Sequence, residues 1–352
     1  MPRALCGFSS KDDLARRCFA YNSGDSGFRV DLSKGICMAK RWTLPWLVLG
    51  VVLQSSALKS SPVAAAESMT LTTNDGVQLK ISYFPGAARK GTPQAKQTTP
   101  VIFLHDHTGS RAVFAPLVQK LQATSKGEGN KPAFAAVTVD LRAHGESTKV
   151  ANNPQVELNA NKQGKDDLYA MASSDLDAVR GFLVQKNDEG ELNLNKLCLV
   201  GSGMGANVAA SWALTDWSYP PLAVGKQGQD VKAIAMISPR WTYNGLLMQN
   251  PMKSLPLKER VAWLIAYGDK DSKFQTDAVK IERQLEKFHP ATDAAGAKRT
   301  RGLAVVKVNT RLQGDSLLTQ VGAATEDQIV KFLVENVGSV QQEWLDRRHR
   351  LP

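Results

Sequence analysis

From residue 69 onward, short apolar runs alternate with stretches whose apolar positions recur every three or four residues. The runs at 69–73, 77–84, 100–104, 134–140, 197–200, 231–237, 261–267 and 303–308 are four to eight residues long. Their richness in Val, Ile, Leu and Phe predicts β-strands. The first two flank Asn74-Asp75-Gly76, a turn sequence that predicts an opening hairpin. Helical spacing marks 111–122, 165–186, 204–214, 276–288 and 326–335. Strands alternating with helices predict an α/β protein with a mostly parallel, eight-stranded sheet covered by helices on both faces. Polar connections at 87–99, 124–131, 150–164, 220–230 and 290–301 predict surface loops. Only about twenty residues separate the strand end near Ser238 from the strand at 261, too few for a large lid.

The N-terminal region has a different pattern. Residues 1–37 lack periodic apolar positions and read as an unstructured leader or as the product of a start codon placed too early. Met38-Ala39-Lys40-Arg41 is a positive segment, residues 42–53 are apolar, and Ser61-Pro62-Val63-Ala64-Ala65-Ala66 offers small residues for cleavage, with Ala57 an alternative. Residues 38–66 therefore predict a secretory signal peptide and a periplasmic or extracellular protein. The apolar run contains Pro45 and falls short of the roughly 20 residues a bilayer span needs, so no stable membrane insertion is expected after cleavage. The expected globular domain covers residues 67–338, followed by a basic tail, 339–352.

Charge changes this reading little. The net charge of +11 includes nine Lys/Arg against four Asp/Glu in residues 1–66, so five of the eleven belong to the leader. No basic stripe interleaved with aromatics is present, and nucleic-acid binding is not expected. Three of the four cysteines precede residue 40, and Cys198 lies inside a predicted core strand, so no disulfide framework is expected.

The chemistry centres on Gly201-Ser202-Gly203-Met204-Gly205. A nucleophile elbow has the pattern small-x-nucleophile-x-small between a strand and a helix, because the backbone crosses itself too closely for larger side chains. Centring on Gly203 places glycines at both crowded positions, whereas centring on Ser202 places Val200 and Met204 there. Gly203 thus stands where a nucleophile would, and Ser202 is the intervening residue.

Two further segments join this turn. Val101-Ile102-Phe103-Leu104-His105-Asp106-His107-Thr108-Gly109 is similar to a strand and His-Gly-type loop that supplies an oxyanion-hole amide. Asp140-Leu141-Arg142-Ala143-His144-Gly145-Glu146-Ser147 is similar to an Asp-x-Arg-Gly-His-Gly-x-Ser turn, with Ala143 replacing a glycine. Together the three segments resemble the α/β-hydrolase superfamily over roughly 69–338. The resemblance implies a degenerate member lacking both nucleophile and catalytic histidine. Asp271, in Gly268-Asp269-Lys270-Asp271, matches the acid position, with Asp269 as neighbour; Asp271 also reads as a helix N-cap. Asp315, in Gly314-Asp315-Ser316-Leu317, stands at the histidine position. Beyond Asp271 only His289 and His349 remain, and both read as surface residues.

Without a base the Ser202 hydroxyl is a poor nucleophile. Asp271 and Asp315 are expected to face each other, sharing a proton or recruiting a cation. A divalent metal held by Asp106, His107, Asp271 and Asp315 is the alternative, although no cofactor is expected. His105 and His144 are expected to hold the loops by hydrogen bonds to backbone. The helix beginning at Met204 still offers N–H groups and a positive dipole end to an anion. Trp241, Tyr243, Leu246, Leu247 and Met248 line an apolar wall or cover the core. The expected function is ligand or partner binding by an inactive hydrolase fold; the alternative is an esterase-like or metal-assisted hydrolase using non-standard residues.

Overall fold

The computed structural model describes residues 66–125, 132–220, 222, 225–290 and 302–347. The leader and signal-peptide readings, His349 and parts of three predicted loops lie outside these residues. Among the described residues twelve strands form: β1 (Glu67–Thr72), β2 (Val77–Phe84), β3 (Thr99–Leu104), β4 (Phe134–Val139), β5 (Lys149–Val150), β6 (Asn153–Glu157), β7 (Leu197–Ser202), β8 (Val231–Ile237), β9 (Thr242–Tyr243), β10 (Leu246–Leu247), β11 (Ala262–Gly268) and β12 (Leu303–Val308). Among the described residues the main sheet has ten strands, in the order β12-β11-β8-β7-β3-β4-β2-β5-β6, with β1 on β2. Eight are the expected ones. Pairings from β4 through β12 are parallel; those of β1, β2, β5 and β6 are antiparallel.

Sequence dictates the two pairing styles. β3, β4 and β7 are buried at every position, as a parallel strand covered on both faces requires. In β2, buried Val77, Leu79, Ile81 and Tyr83 alternate with half-buried residues, so one face packs on the core. The helices are α1 (Ala115–Ala123), α2 (Lys165–Ala170), α3 (Leu176–Asp188), α4 (Met204–Ser218), α5 (Gln249–Lys253), α6 (Leu255–Arg260), α7 (Ser272–Leu285) and α8 (Ala323–Leu333). They divide the core into two apolar layers. One contains Leu199, Met204, Trp212 and Trp263; the other contains Phe103, Phe114, Val200 and Ile329. No helix among the described residues is long and apolar enough to cross a membrane.

Several expectations are corrected. The predicted loop 150–164 contains the edge strand β6, fully exposed and carrying Pro154. As expected, no large lid forms: the segment after β8 makes the β9–β10 hairpin and two short helices, a small cover. The single helix expected at 165–186 is interrupted by a wide turn, Met171–Asp175. There the buried Asp175 carboxylate accepts from Arg142 Nε at 2.9 Å, Nη2 at 2.6 Å and the Arg142 amide at 3.1 Å. Arg142 also bonds Asp75 in the first hairpin turn, at 2.7 Å. His289 is buried, 8% exposed.

The segment following α8 is no solvated tail as far as residue 347. Asn193 and Asn195 side chains donate to the carbonyls of Gln342 and Glu343, and Asn187 to that of Leu345. Lys96 lies over the Trp344 ring at 4.0 Å. The Arg347 guanidinium, fully buried, donates to Asp230 at 2.6 Å. Arg180 and Lys226 face the same carboxylate at 2.8 and 3.3 Å. Burial disfavours the charge of Asp230, but these three cations more than offset it and keep the group below the ordinary carboxylate range.

Two predictions concern stability. Ala143 occupies the glycine place in the turn after β4 with φ +65°, a left-handed conformation unfavourable for a side chain. Ala143→Gly relieves that strain against the greater freedom of glycine in the unfolded chain, and is expected to raise urea-unfolding stability by about 0.5–1 kcal/mol. Asp216, near the end of α4, is buried and its pKa is pushed up to about 6, chiefly by burial and then by the charge of Asp230. The folded state then binds more protons than the unfolded one between about pH 4 and pH 6. Stability from this group therefore falls as pH rises through that window. A urea series across it is expected to show the slope in the native chain and lose it in Asp216→Asn.

Candidate functional site

The site is built from four chain segments: the β7–α4 elbow, the loop after β3, the loop after β12 and the β9–β10 hairpin. At the elbow Gly203 has φ +48° and ψ −109°, a conformation costly for a residue with a side chain. A Cβ on Gly201 would enter the backbone of Gly205 and Ala206, and one on Gly205 would strike the carbonyls of Leu104 and His105. These are the crowded flanks of the turn. Ser202 is fully buried in β7. Its hydroxyl lies beside the Asp315 carboxylate and favours that group's charged form, yet forms no well-angled hydrogen bond among the described residues.

The space above Gly203 is filled by Asp106. A Cβ on Gly203 would overlap all three terminal atoms of the Asp106 carboxylate. One of its oxygens, Oδ1, accepts from Met204 N at 2.8 Å and from His107 N at 2.7 Å. Met204 N–H belongs to the residue after the nucleophile position, and His107 N–H comes from the loop after β3. These are the two sources of an acyl-transfer oxyanion hole. The donors and the positive end of the fifteen-residue α4 are thus already engaged by a carboxylate of the same chain. The expectation of a vacant anion site at this helix start is corrected accordingly.

Asp315 stands in the loop after β12, next to Asp106. Its two oxygens accept from Asp106 N at 3.1 and 3.2 Å. The loop is anchored by Gln313, which bonds both backbone groups of Gly268 and the Ser238 hydroxyl. Gly314 N donates to Ser238 Oγ at 2.9 Å. Burial raises the pKa of Asp106, and the nearby Asp315 charge adds to it against the two amide hydrogen bonds. Burial also raises Asp315, against Ser202 and Asp106 N–H. Neither carboxylate has an ion-pair partner among the described residues.

Asp271 is elsewhere engaged. Its side chain caps α7, accepting from Lys273 N at 3.0 Å and Phe274 N at 3.3 Å. No hydrogen bond joins it to Asp315, so the expected Asp271–Asp315 pair is replaced by Asp106–Asp315. Asp269 carries Lys270 at 3.5 Å. Among the described residues, no three His, Cys, Asp or Glu side chains converge as a metal site, which corrects the four-residue metal alternative.

His105 Nδ1 donates to the Asp106 carbonyl at 2.6 Å, while Nε2 accepts from Leu141 N at 3.1 Å, tying the β3 and β4 loops. His144 Nδ1 lies 2.9 Å from the Arg142 carbonyl. The rings of His105 and His107 stand 5.0 and 5.4 Å from that of His144. Trp241 is half-buried beneath Lys280, whose ammonium is 3.9 Å from the ring centroid, and Leu246 and Met248 are buried in the core. Tyr243 stands near enough to sense Asp106: burial, then that charge, pushes its pKa up to about 12.

The covering carboxylate had a sequence signal. Asp106 follows His105 where a His-Gly-type loop carries glycine, and a longer side chain there reaches the hole. The β9–β10 hairpin was also marked, since Asn244-Gly245 is a favoured hairpin turn.

Comparison with protein families and with curated proteins finds no match. Solved structures do match. DcsB in complex with its substrate analogue superposes with a TM-score of 0.50 at 12% identity, over 78% of this chain and 99% of that one. An esterase from Pyrococcus furiosus gives 0.49 at 15%, over 78% and 94%. An esterase from Rhizomucor miehei gives 0.49 at 16%, over 79% and 86%. Identities this low speak to fold and leave chemistry open. With its sheet order, its strand–elbow–helix turn and its superposition on DcsB, this chain has the α/β-hydrolase fold.

Proposed function

We propose that this chain is an exported α/β-hydrolase-fold protein without hydrolase activity, acting by binding a small ligand or a protein partner. One observation carries the reading: the Asp106 carboxylate fills both the nucleophile's space over Gly203 and the two N–H donors of the oxyanion hole. Acyl transfer needs a nucleophile, a base and that hole. Gly203 withholds the first, Asp315 replaces the second, and Asp106 closes the third. Export rests on the signal-peptide pattern of residues 38–66.

The chain from Glu67 onward is expected to take no label from a broad serine-hydrolase covalent probe. It should also turn over no short acyl ester, with or without divalent metal. Labelling at any residue would sink the reading. Asp106 and Asp315 supply the observation behind a second one: adjacent carboxyls that resist joint ionisation can divide acid and base roles. Metal-independent turnover with an acidic optimum, abolished by either Asp→Asn change, would favour that alternative.

A further inference from the structure

Beside the closed hole lies a groove of about 470 Å³. One wall is Thr108 and Gly109 of the loop after β3, with Ala143, His144 and Gly145 of the turn after β4. The other runs from Glu157 at the end of β6 to Lys162. That second wall is supplied by the β5–β6 extension of the sheet. Volumes of this order are typical of small-molecule sites.

The lining has a definite chemistry. Thr108 and Thr148 bring hydroxyls, Asn159 and Asn161 bring amides, and the single acid Glu157 is balanced by the single exposed base Lys162. Such a surface favours a ligand without net charge and rich in hydrogen-bonding groups. The decisive residue is His144, only 2% exposed. Its Nδ1 faces the Arg142 carbonyl, which fixes the proton there and leaves Nε2 as an acceptor. Nε2 is buried and has no hydrogen-bond partner among the described residues. Burial drives the pKa of the ring down to about 4, so the imidazole is neutral at neutral pH. A buried acceptor left unpaired is costly, and a donor that reaches it gains correspondingly.

We propose that this groove binds a neutral polyhydroxylated ligand, a sugar or short oligosaccharide, with one hydroxyl donating to His144 Nε2. This deepens the ligand-binding reading above and rests on it. A hydroxyl fits where an anion does not, because Nε2 offers no proton, and where an ammonium is not required, because the groove carries no net negative charge.

Saturation-transfer NMR on the chain from Glu67, with glucose, N-acetylglucosamine and cellobiose as probes and acetate and methylammonium as controls, tests the assignment. Transfer to at least one sugar and to neither ion is expected, together with a shift of the His144 Nε2 resonance. His144→Phe should weaken binding about tenfold or more, the scale of one buried hydrogen bond. Should that variant fail to fold, Asn161→Trp, which fills the groove from an exposed turn, should abolish the transfer. No transfer to any sugar by a folded chain, transfer that survives Asn161→Trp, or binding of either ion at the groove would overturn the assignment. Probe labelling or ester turnover would instead strike the inactive-fold reading, leaving a positive sugar result in place.

Discussion

Placing a serine at Gly203 and a histidine at Asp315 is expected to leave the protein unreactive, and adding Asp106→Gly to those two changes is expected to switch reactivity on. The pair alone restores a nucleophile and a base while the Asp106 carboxylate still crowds the elbow and competes for Met204 N–H and His107 N–H. Only the third change frees Met204 N–H and His107 N–H for a developing oxyanion. One such donor is worth about 100- to 1000-fold in turnover, so the triple variant should exceed the double by at least about 100-fold on p-nitrophenyl acetate. Stability should follow the same logic. Gly203→Ser alone is expected to cost about 2–4 kcal/mol, from backbone strain and collision with Asp106. With Asp106→Gly in place about half of that should return, a coupling of about 1–2 kcal/mol in a double-mutant urea cycle. Additive costs would mean that the carboxylate does not press on the nucleophile position.

Asp230→Asn is expected to be the most destabilising single change. It leaves Arg347, Arg180 and Lys226 gathered in a buried socket without their shared carboxylate. Breaking a buried ion pair from one side costs about 3–5 kcal/mol, which lowers the melting temperature of a domain this size by about 10 °C. Arg347→Leu should cost less, about 1–2 kcal/mol, because Asp230 keeps two cations. Calorimetry gives both values. Limited trypsin digestion should trim the segment after α8 in both variants before the body is cut. Loss of less than 1 kcal/mol in Asp230→Asn would show that the socket is not an anchor.

How much of this was legible depended on where the determining contacts lie. The five inner parallel strands announce themselves because burial on both faces demands continuous apolar runs, as in Val101–Leu104 of β3. The elbow was readable because its glycines answer a local crowding problem within five residues. β6 was not, since an exposed edge strand containing Pro154 shows neither apolar alternation nor a run. The two short helices after the β9–β10 hairpin carry Pro251 and Pro256, which break any helical period. Asp106 was legible as an oxyanion-loop residue or a metal ligand, and its role as a cover was not, because its partners are 98 and 209 residues away. Arg347 looked like part of a free basic tail because its carboxylate is 117 residues earlier. Asp271 was ambiguous between acid and cap, and its hydrogen bonds are those of a cap.

The strap over residues 339–347 also sets an order of events during synthesis. Gln97 is joined to Gln342 across 245 positions, and the Asp230 socket closes only around Arg347. Contacts of such separation form late, after the entropy of closing long loops has been met. A nascent chain held at the ribosome exit therefore cannot complete this fold until residue 347 has emerged. Before then it remains threadable, the state that the proposed export requires.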